Sequence, residues 1–192
     1  MTDTSPTQSV AVFEGRMFAV IDGVAEGESI SFADELVMDD VYHLSGDATR
    51  KGLALVAHED GVGFAIAPGS AVGVVGNQVV LDCCVTLMAP DGTTFEAVVL
   101  VEVEAGGVEA IYLLPLATLT PHSDYRLVGV DRHAATTRFA EVAYVSFTRG
   151  THITLASGKQ VPIEEMAVGD LVLTRDDGPK AVRWIGQSTI CA

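Results

Sequence analysis

Short hydrophobic runs rich in β-branched residues recur along the first 130 residues, separated by turns that contain glycine, proline or aspartate. Strands that recur about every 8–12 residues between such turns are typical of an antiparallel β-sandwich or β-barrel. The sequence therefore predicts a mainly β fold whose N-terminal part has one of these two architectures. The predicted strands are residues 10–21 (one strand or a hairpin), 29–32, 53–58, 64–67, 72–75, 79–87, 95–104, 110–116 and 123–130.

Two of these segments have more specific patterns. Residues 72–75 and 79–87 flank Gly76-Asn77, a dipeptide that accepts positive φ, and together they predict a hairpin. In residues 95–104, the glutamates at positions 96, 102 and 104 share one parity and the valines at 99, 101 and 103 share the other. That alternation predicts a strand with one face in solvent.

The stretch from Phe32 to Tyr42 is acidic around a short apolar centre, Leu36-Val37-Met38. Its pattern fits either a short helix or an acidic loop, and the sequence does not decide between them. Its four acidic residues, Asp34, Glu35, Asp39 and Asp40, are predicted to form a solvated surface.

The charge of the chain changes sharply along its length. The net charge is −15, yet the first 125 residues contain only three basic residues, Arg16, Arg50 and Lys51, whereas acids and bases nearly balance afterwards. This step predicts an acidic β-rich domain at residues 1–130, a connection at 131–145 and a second module at 146–192. An acidic surface repels nucleic acid and anionic membranes, so neither is an expected partner. No apolar run approaches the roughly 20 residues of a membrane helix, so no membrane insertion is expected.

The cysteines and histidines suggest no cofactor or metal. Cys83, Cys84 and Cys191 are odd in number and two are adjacent, which argues against a disulfide framework. Adjacent residues of a strand point to opposite faces, so one of Cys83 and Cys84 is predicted in the core and the other outside. The histidines before residue 150 are scattered without ligand spacing and are predicted to be structural. These are His43, His58, His122 and His133.

The N-terminus has neither a basic segment nor an apolar one, so no Sec-type signal peptide is predicted. The expected location is the cytoplasm, or the outside of the cell by a non-classical route.

The segment after residue 145 predicts four short strands, residues 151–155, 160–163, 171–174 and 181–185. Its motifs follow one another in a defined order. A Ser146-Phe-Thr-Arg-Gly-Thr start precedes a hairpin, and Val161-Pro-Ile-Glu-Glu-Met166 comes next. Val168-Gly-Asp170 then precedes an apolar strand, and Asp177-Gly-Pro179 leads to Trp184-Ile-Gly186.

This order resembles the opening of the Hint (Hedgehog/intein) family, and in particular the Hint segments of bacterial proteins. The resemblance implies a partial Hint-type β fold in which Ser146 is the nucleophile and Val145–Ser146 is the scissile bond. In the family, the first residue of the domain attacks the preceding carbonyl carbon, and water or another nucleophile then resolves the ester or thioester. The substrate is the protein's own backbone. Hedgehog-type domains stop at cleavage, whereas inteins go on to protein splicing.

By the same resemblance, four further residues support the motif: Gly150, Thr151, Gly169 and Asp170. Two departures from the family pattern affect the expected activity. The nucleophile is serine, where cysteine is usual, and a hydroxyl ionises far less readily than a thiol. The family's later motif, a threonine followed by a histidine, is absent from the printed residues.

The sequence therefore predicts that the parent protein processes itself but that this chain, with a truncated Hint segment, is inactive. Unpaired strand edges in that segment predict self-association or pairing with a missing C-terminal Hint portion. The alternative hypothesis is a non-catalytic protein whose acidic β-sandwich is a binding or structural module.

Overall fold

The computed structural model describes residues 7–57, 63–143, 150–167, 169–174 and 178–182. The chain divides into two compact units, residues 1–144 and residues 145–192. Within the described residues the structure is mainly β, as the sequence predicts. The first unit contains β1 (Thr7–Glu14), β2 (Phe18–Asp22), β3 (Val41–Leu44), β4 (Lys51–Ala57), β5 (Phe64–Ile66), β6 (Gln78–Met88), β7 (Thr94–Glu104), β8 (Gly107–Pro115), β9 (Ser123–Asp131) and helix α1 (Ala135–Ala143). The second contains β10 (His152–Thr154), β11 (Gln160–Pro162), β12 (Leu171–Thr174) and β13 (Gly178–Ala181).

Six strands of the first unit close into an antiparallel barrel. The order around the ring is β6-β5-β4-β1-β8-β7, and β7 pairs again with β6. The strands β9, β3 and β2 extend the sheet from β6 in that order. Of the two predicted architectures, sandwich and barrel, the first unit has the barrel, with a three-stranded extension.

Strand β6 belongs to both parts because it changes neighbours along its length. Its first residues, Gln78 and Val79, pair with β5, and Cys84–Met88 pair with β9. The register with β7 shifts between Leu81 and Cys83, which places an irregularity at Asp82. An extra residue at a bulge reverses which face each later side chain occupies. As a result Val79 and Leu81 face the inside of the barrel, whereas Cys83 joins a second core outside it.

Two hydrophobic cores follow from this arrangement. All six barrel strands and helix α1 contribute to the barrel core, which contains Val10, Val12, Leu53, Leu55, Ile66, Val79, Val98, Leu100, Tyr112, Leu114, Ala135 and Phe139. The second core joins the other face of β6–β8 to the extension and to the loop that follows β2. Its largest members are Phe13, Phe18, Ile30, Tyr42, Leu44, Leu87, Leu113, Leu119, Tyr125 and Leu127.

Strand β7 corrects the prediction that one face of residues 95–104 lies in solvent. Every residue from Ala97 to Glu102 is buried, because one face of β7 meets the barrel core and the other meets the second core. Glu102 is only 1 % exposed. The same double burial on β6 makes the prediction for the cysteines wrong: Cys83 and Cys84 are both buried, and burial raises the pKa of each thiol.

The irregular segments differ more from the predictions. Residues 72–75 form a loop and not the first strand of a hairpin, and residues 29–32 contribute only one bridge, from Ser29 to Ala19. The 32–42 stretch is a loop rather than a helix up to Asp40, where the unpredicted strand β3 follows. Residues 10–21 are two strands, separated by the 3-10 turn Gly15–Met17, that pair with different neighbours.

Helix α1 lies within the segment for which the charge pattern predicts only a connection. Asp131 caps the turn before it, since its Oδ1 accepts the backbone N–H groups of His133 at 2.8 Å and Ala134 at 3.1 Å. One helical turn apart, Ala135 and Phe139 enter the barrel core, and the Phe139 ring lies 5.0 Å from that of Phe64. The helix is therefore packed as part of the first unit. Among the described residues no helix has the length and apolarity to cross a membrane.

The second unit consists of two antiparallel hairpins, β10–β11 and β12–β13. Three of its four strands lie where the sequence predicts them. The fourth, β13, begins earlier than predicted, at Gly178, and residues 183–185 of the predicted strand fall outside the described residues.

Candidate functional site

The hairpin β10–β11 positions Gly150 and Thr151, the first pair of motif residues. Its ladder pairs His152 with Pro162, and one step further the Ile163 N–H donates to the Thr151 carbonyl oxygen at 2.8 Å. At the next step the Gly150 N–H donates to Glu164 Oε2 at 2.8 Å. A side-chain carboxylate thus accepts the hydrogen bond at the point where the chain leaves the ladder for the 3-10 turn Ile163–Glu165.

Gly150 has φ +86°, in the left-handed region. A Cβ atom built on Gly150 would meet nothing within 4 Å, so the backbone conformation and not crowding favours glycine here. His152, which directly follows the motif pair, lies in β10, within a strand that the sequence predicts, and is exposed.

Gly169 and Asp170 form the turn that enters β12. The Asp170 carboxylate accepts the Ala167 N–H at 2.9 Å, and the Asp170 N–H donates to the Ala167 carbonyl oxygen at 3.2 Å. Gly169 has φ +99°, and its N–H donates to the Val182 carbonyl oxygen at 2.8 Å. The Gly-Asp pair therefore combines the backbone freedom of glycine with an aspartate that closes the turn on itself.

A backbone contact joins the two hairpins. The Ala156 N–H donates to the Leu171 carbonyl oxygen at 2.7 Å, and Leu155 forms a bridge with Val172. The four supporting motif residues accordingly belong to one hydrogen-bonded frame. Val145 and Ser146, the predicted scissile and nucleophilic residues, lie outside the described residues, as do His58 and Cys191.

In the first unit, the fold brings together two histidines that are distant in sequence. His43 and Asp124 face each other across β3 and β9, with Nδ1 and Oδ1 2.6 Å apart, and the His122 ring packs edge-on against His43 at 5.3 Å. This contact could not be predicted from the sequence, because it depends on the cross-strand register. No group of three or more His, Cys, Asp or Glu residues among the described positions has the geometry to hold a metal ion.

A buried acid cluster in the first unit centres on Glu102. Its Oε1 accepts the Val74 N–H at 2.9 Å and Asn77 Nδ2–H at 2.7 Å, and its Oε2 accepts the Tyr112 hydroxyl at 2.6 Å. Burial, followed by the hydrogen bond to Glu102, raises the pKa of Tyr112. Each carboxylate oxygen has at least one donor, so the cluster holds the 72–77 loop on the barrel rather than presenting a reactive group to solvent.

The structure thus defines a mainly β protein whose second, small unit consists of two hydrogen-bonded hairpins that carry the four motif residues. Comparison with protein-family models assigns that unit: the model described as Hint domain matches residues 145–192. The C-terminal segment therefore matches the Hint domain family, and the match confirms the resemblance of this segment. Comparisons with curated proteins and with solved structures find no match.

Proposed function

We propose that the C-terminal unit belongs to a Hint domain that cleaves its own backbone at Val145–Ser146. The match to the Hint family model begins at residue 145, at this bond, and this is the observation that carries the proposal. The frame that joins Gly150 and Thr151 to Gly169 and Asp170 supports it, because these are the residues on which the resemblance rests.

The reaction is covalent catalysis with an internal substrate. Ser146 Oγ attacks the carbonyl carbon of Val145 and loses its proton to a base. The C–N bond breaks, the Ser146 nitrogen takes up a proton as the leaving amine, and Val145 becomes esterified to Oγ. Water then adds to the ester, which releases a fragment with a free carboxyl group at Val145 and a second fragment that begins with Ser146.

The 192 printed residues alone are not expected to complete this reaction. A serine hydroxyl needs a base or a polarised amide to attack at neutral pH. In the family that this segment resembles, a histidine that follows a threonine polarises the scissile amide. The last histidine of these residues is His152, at an exposed position of β10. The purified chain should therefore keep its intact mass over a long incubation, with or without hydroxylamine to trap an ester.

The test of the proposed bond restores the later motif. The whole chain is fused to the C-terminal portion of an active Hint domain that supplies the threonine, the histidine and the closing strands. Mass spectrometry should detect a fragment that ends at Val145, and S146A should abolish it. Cleavage at another bond, or equal cleavage of S146A, would contradict the assigned bond and nucleophile, and the absence of any cleavage would favour the alternative of a non-catalytic module.

A further inference from the structure

We propose that Glu164 is a positioning residue that holds the backbone just after the nucleophile. This inference rests on the proposed function, since the held residue, Gly150, follows Ser146 by four positions. The Glu164 carboxylate fixes where the nucleophile segment joins the hairpin.

The β10–β11 ladder explains why a side chain is needed there. Pro162 lacks an N–H group, and Ile163 donates to the opposite strand through its bond to the Thr151 carbonyl oxygen. Beyond it the backbone turns into a 3-10 helix in which the Ile163 carbonyl oxygen accepts the Met166 N–H. Glu164 Oε2 supplies an acceptor for Gly150 where the regular ladder ends.

The charge of Glu164 makes this contact stronger than a neutral one. A hydrogen bond from a backbone N–H to an ionised carboxylate is roughly twice as strong as its neutral counterpart. Gly150, at φ +86°, has no side chain of its own with which to anchor the turn. A shift of about 1 Å in a reacting group can lower a rate by about a hundredfold, so we expect a fixed Gly150, four positions after Ser146 in the sequence, to affect the rate.

Glu165 offers a matched control. It is the next residue in the same turn, carries the same charge and is exposed, and within the described part of the chain its side chain has no hydrogen bond. E164Q and E165Q therefore remove one negative charge each from adjacent positions, but only E164Q affects the acceptor of the Gly150 amide.

The first experiment needs no cleavage. In the ¹⁵N-labelled full chain, the Gly150 amide resonance should move with pH as a carboxyl group protonates, in the wild type and in E165Q. In E164Q that movement should disappear, and in E164A the hydrogen exchange of this amide should become about tenfold faster. An amide that behaves alike in all four proteins would overturn the inference, even if the proposed cleavage occurs.

The second experiment measures cleavage at Val145–Ser146 in the fused chain described above. We expect E164Q to slow it at least about tenfold, E165Q to leave it near the wild-type rate, and E164D to restore part of the loss. Equal rates for E164Q and E165Q would overturn the positioning role. If the unmodified fusion does not cleave at this bond, the proposed function fails, while the amide measurements still decide whether Glu164 holds Gly150.

Discussion

At the scale of single residues, Gly73 shows how tightly the barrel is closed at the Glu102 cluster. A Cβ atom at Gly73 would lie 2.9 Å from Glu102 Oε2, 3.0 Å from the Tyr112 hydroxyl and even closer to Ile66 Cδ1. Gly73 also has φ +76°, so both space and backbone conformation require glycine. Nearby Gly76 has φ +92° but has nothing within 4 Å of such an atom.

The two glycines separate steric from conformational cost. Gly76→Ala should lower the free energy of unfolding by about 1–2 kcal/mol, which is the cost of a left-handed alanine. Gly73→Ala should cost about 1–3 kcal/mol more, because crowding at a packed site adds to that strain. Urea unfolding followed by circular dichroism measures both. Equal losses for the two variants would mean that the 72–77 loop moves aside freely.

Tyr42 gives the first unit a dependence on alkaline pH. It is 2 % exposed, and burial, then the charges of Asp40 and Glu28, raise its pKa to about 12. An unfolded tyrosine loses its proton near pH 10. Below that pH both the folded and the unfolded state keep the Tyr42 proton, and the contribution of Tyr42 to the free energy of unfolding is fully present. As the pH rises from about 10 to about 12 this contribution is lost, because the unfolded state releases the proton first.

The free energy of unfolding should therefore fall over this range, and less steeply in Tyr42→Phe than in the wild type. Some loss should remain in the variant, since the pKa of Tyr112 is raised as well. Denaturant unfolding at several alkaline pH values measures the slope, and absorbance near 295 nm measures tyrosinate formation. Identical slopes in the two proteins would contradict a raised pKa at Tyr42.

At the scale of elements, the sequence predicted strands better than it predicted their surroundings. Strands β4–β9 lie close to their predicted positions because each is a β-branched run between turn residues. Which faces they bury could not be read from the pattern, since the face of β7 that carries Glu102 is the interior of the barrel. Strand β3, four residues long, carries too short a pattern. Helix α1 did have a signal: Asp131 as a cap, followed by Ala135 and Phe139 at helical spacing.

The same comparison holds for the candidate site. The motif order located the Hint segment, and Gly150, Gly169 and Asp170 occupy turns, as their residue types suggest. The hydrogen bond from Gly150 to Glu164 could not be predicted, because it depends on how the chain leaves the β10–β11 ladder.

Helix α1 should be essential to the barrel through one side chain. Phe139 is 1 % exposed in the barrel core, so Phe139→Ala should lower the free energy of unfolding by about 3–5 kcal/mol. Val142 lies on the same helix and is 37 % exposed, and Val142→Ala should cost well under half as much. Thermal unfolding compares them. A small effect of Phe139→Ala would mean that the barrel is stable without its helix.

At the scale of the whole molecule, the two cores of the first unit share the strands β6–β8. Val99 faces the second core and Leu100 faces the barrel core, and both are fully buried. If one of these strands detaches from the barrel core, its side chains in the second core are displaced as well. The barrel and its extension should therefore unfold together, although their side chains form separate clusters.

Val99→Ala and Leu100→Ala test this coupling. Leu100→Ala should cost about 2–5 kcal/mol and Val99→Ala less, in proportion to the smaller volume removed. Both should shift one common transition, seen alike by far-ultraviolet circular dichroism and by the tyrosine signal. A variant that splits the transition in two would show that the cores unfold independently.

The irregularity at Asp82 has a consequence for how this strand tolerates change in length. It reverses which side chains of β6 face which core. Odd-numbered residues before it face the barrel core, and odd-numbered residues after it face the second core. Deleting Asp82 would leave a regular alternation in which Cys83, Val85 and Leu87 keep their side. Pairing Asp82 in the regular ladder without a deletion would instead send all three to the barrel side together. The faces of β6 therefore depend on this one unpaired residue, whereas the exposed turn at residues 90–93 should accept insertions and deletions without changing the face of any strand residue.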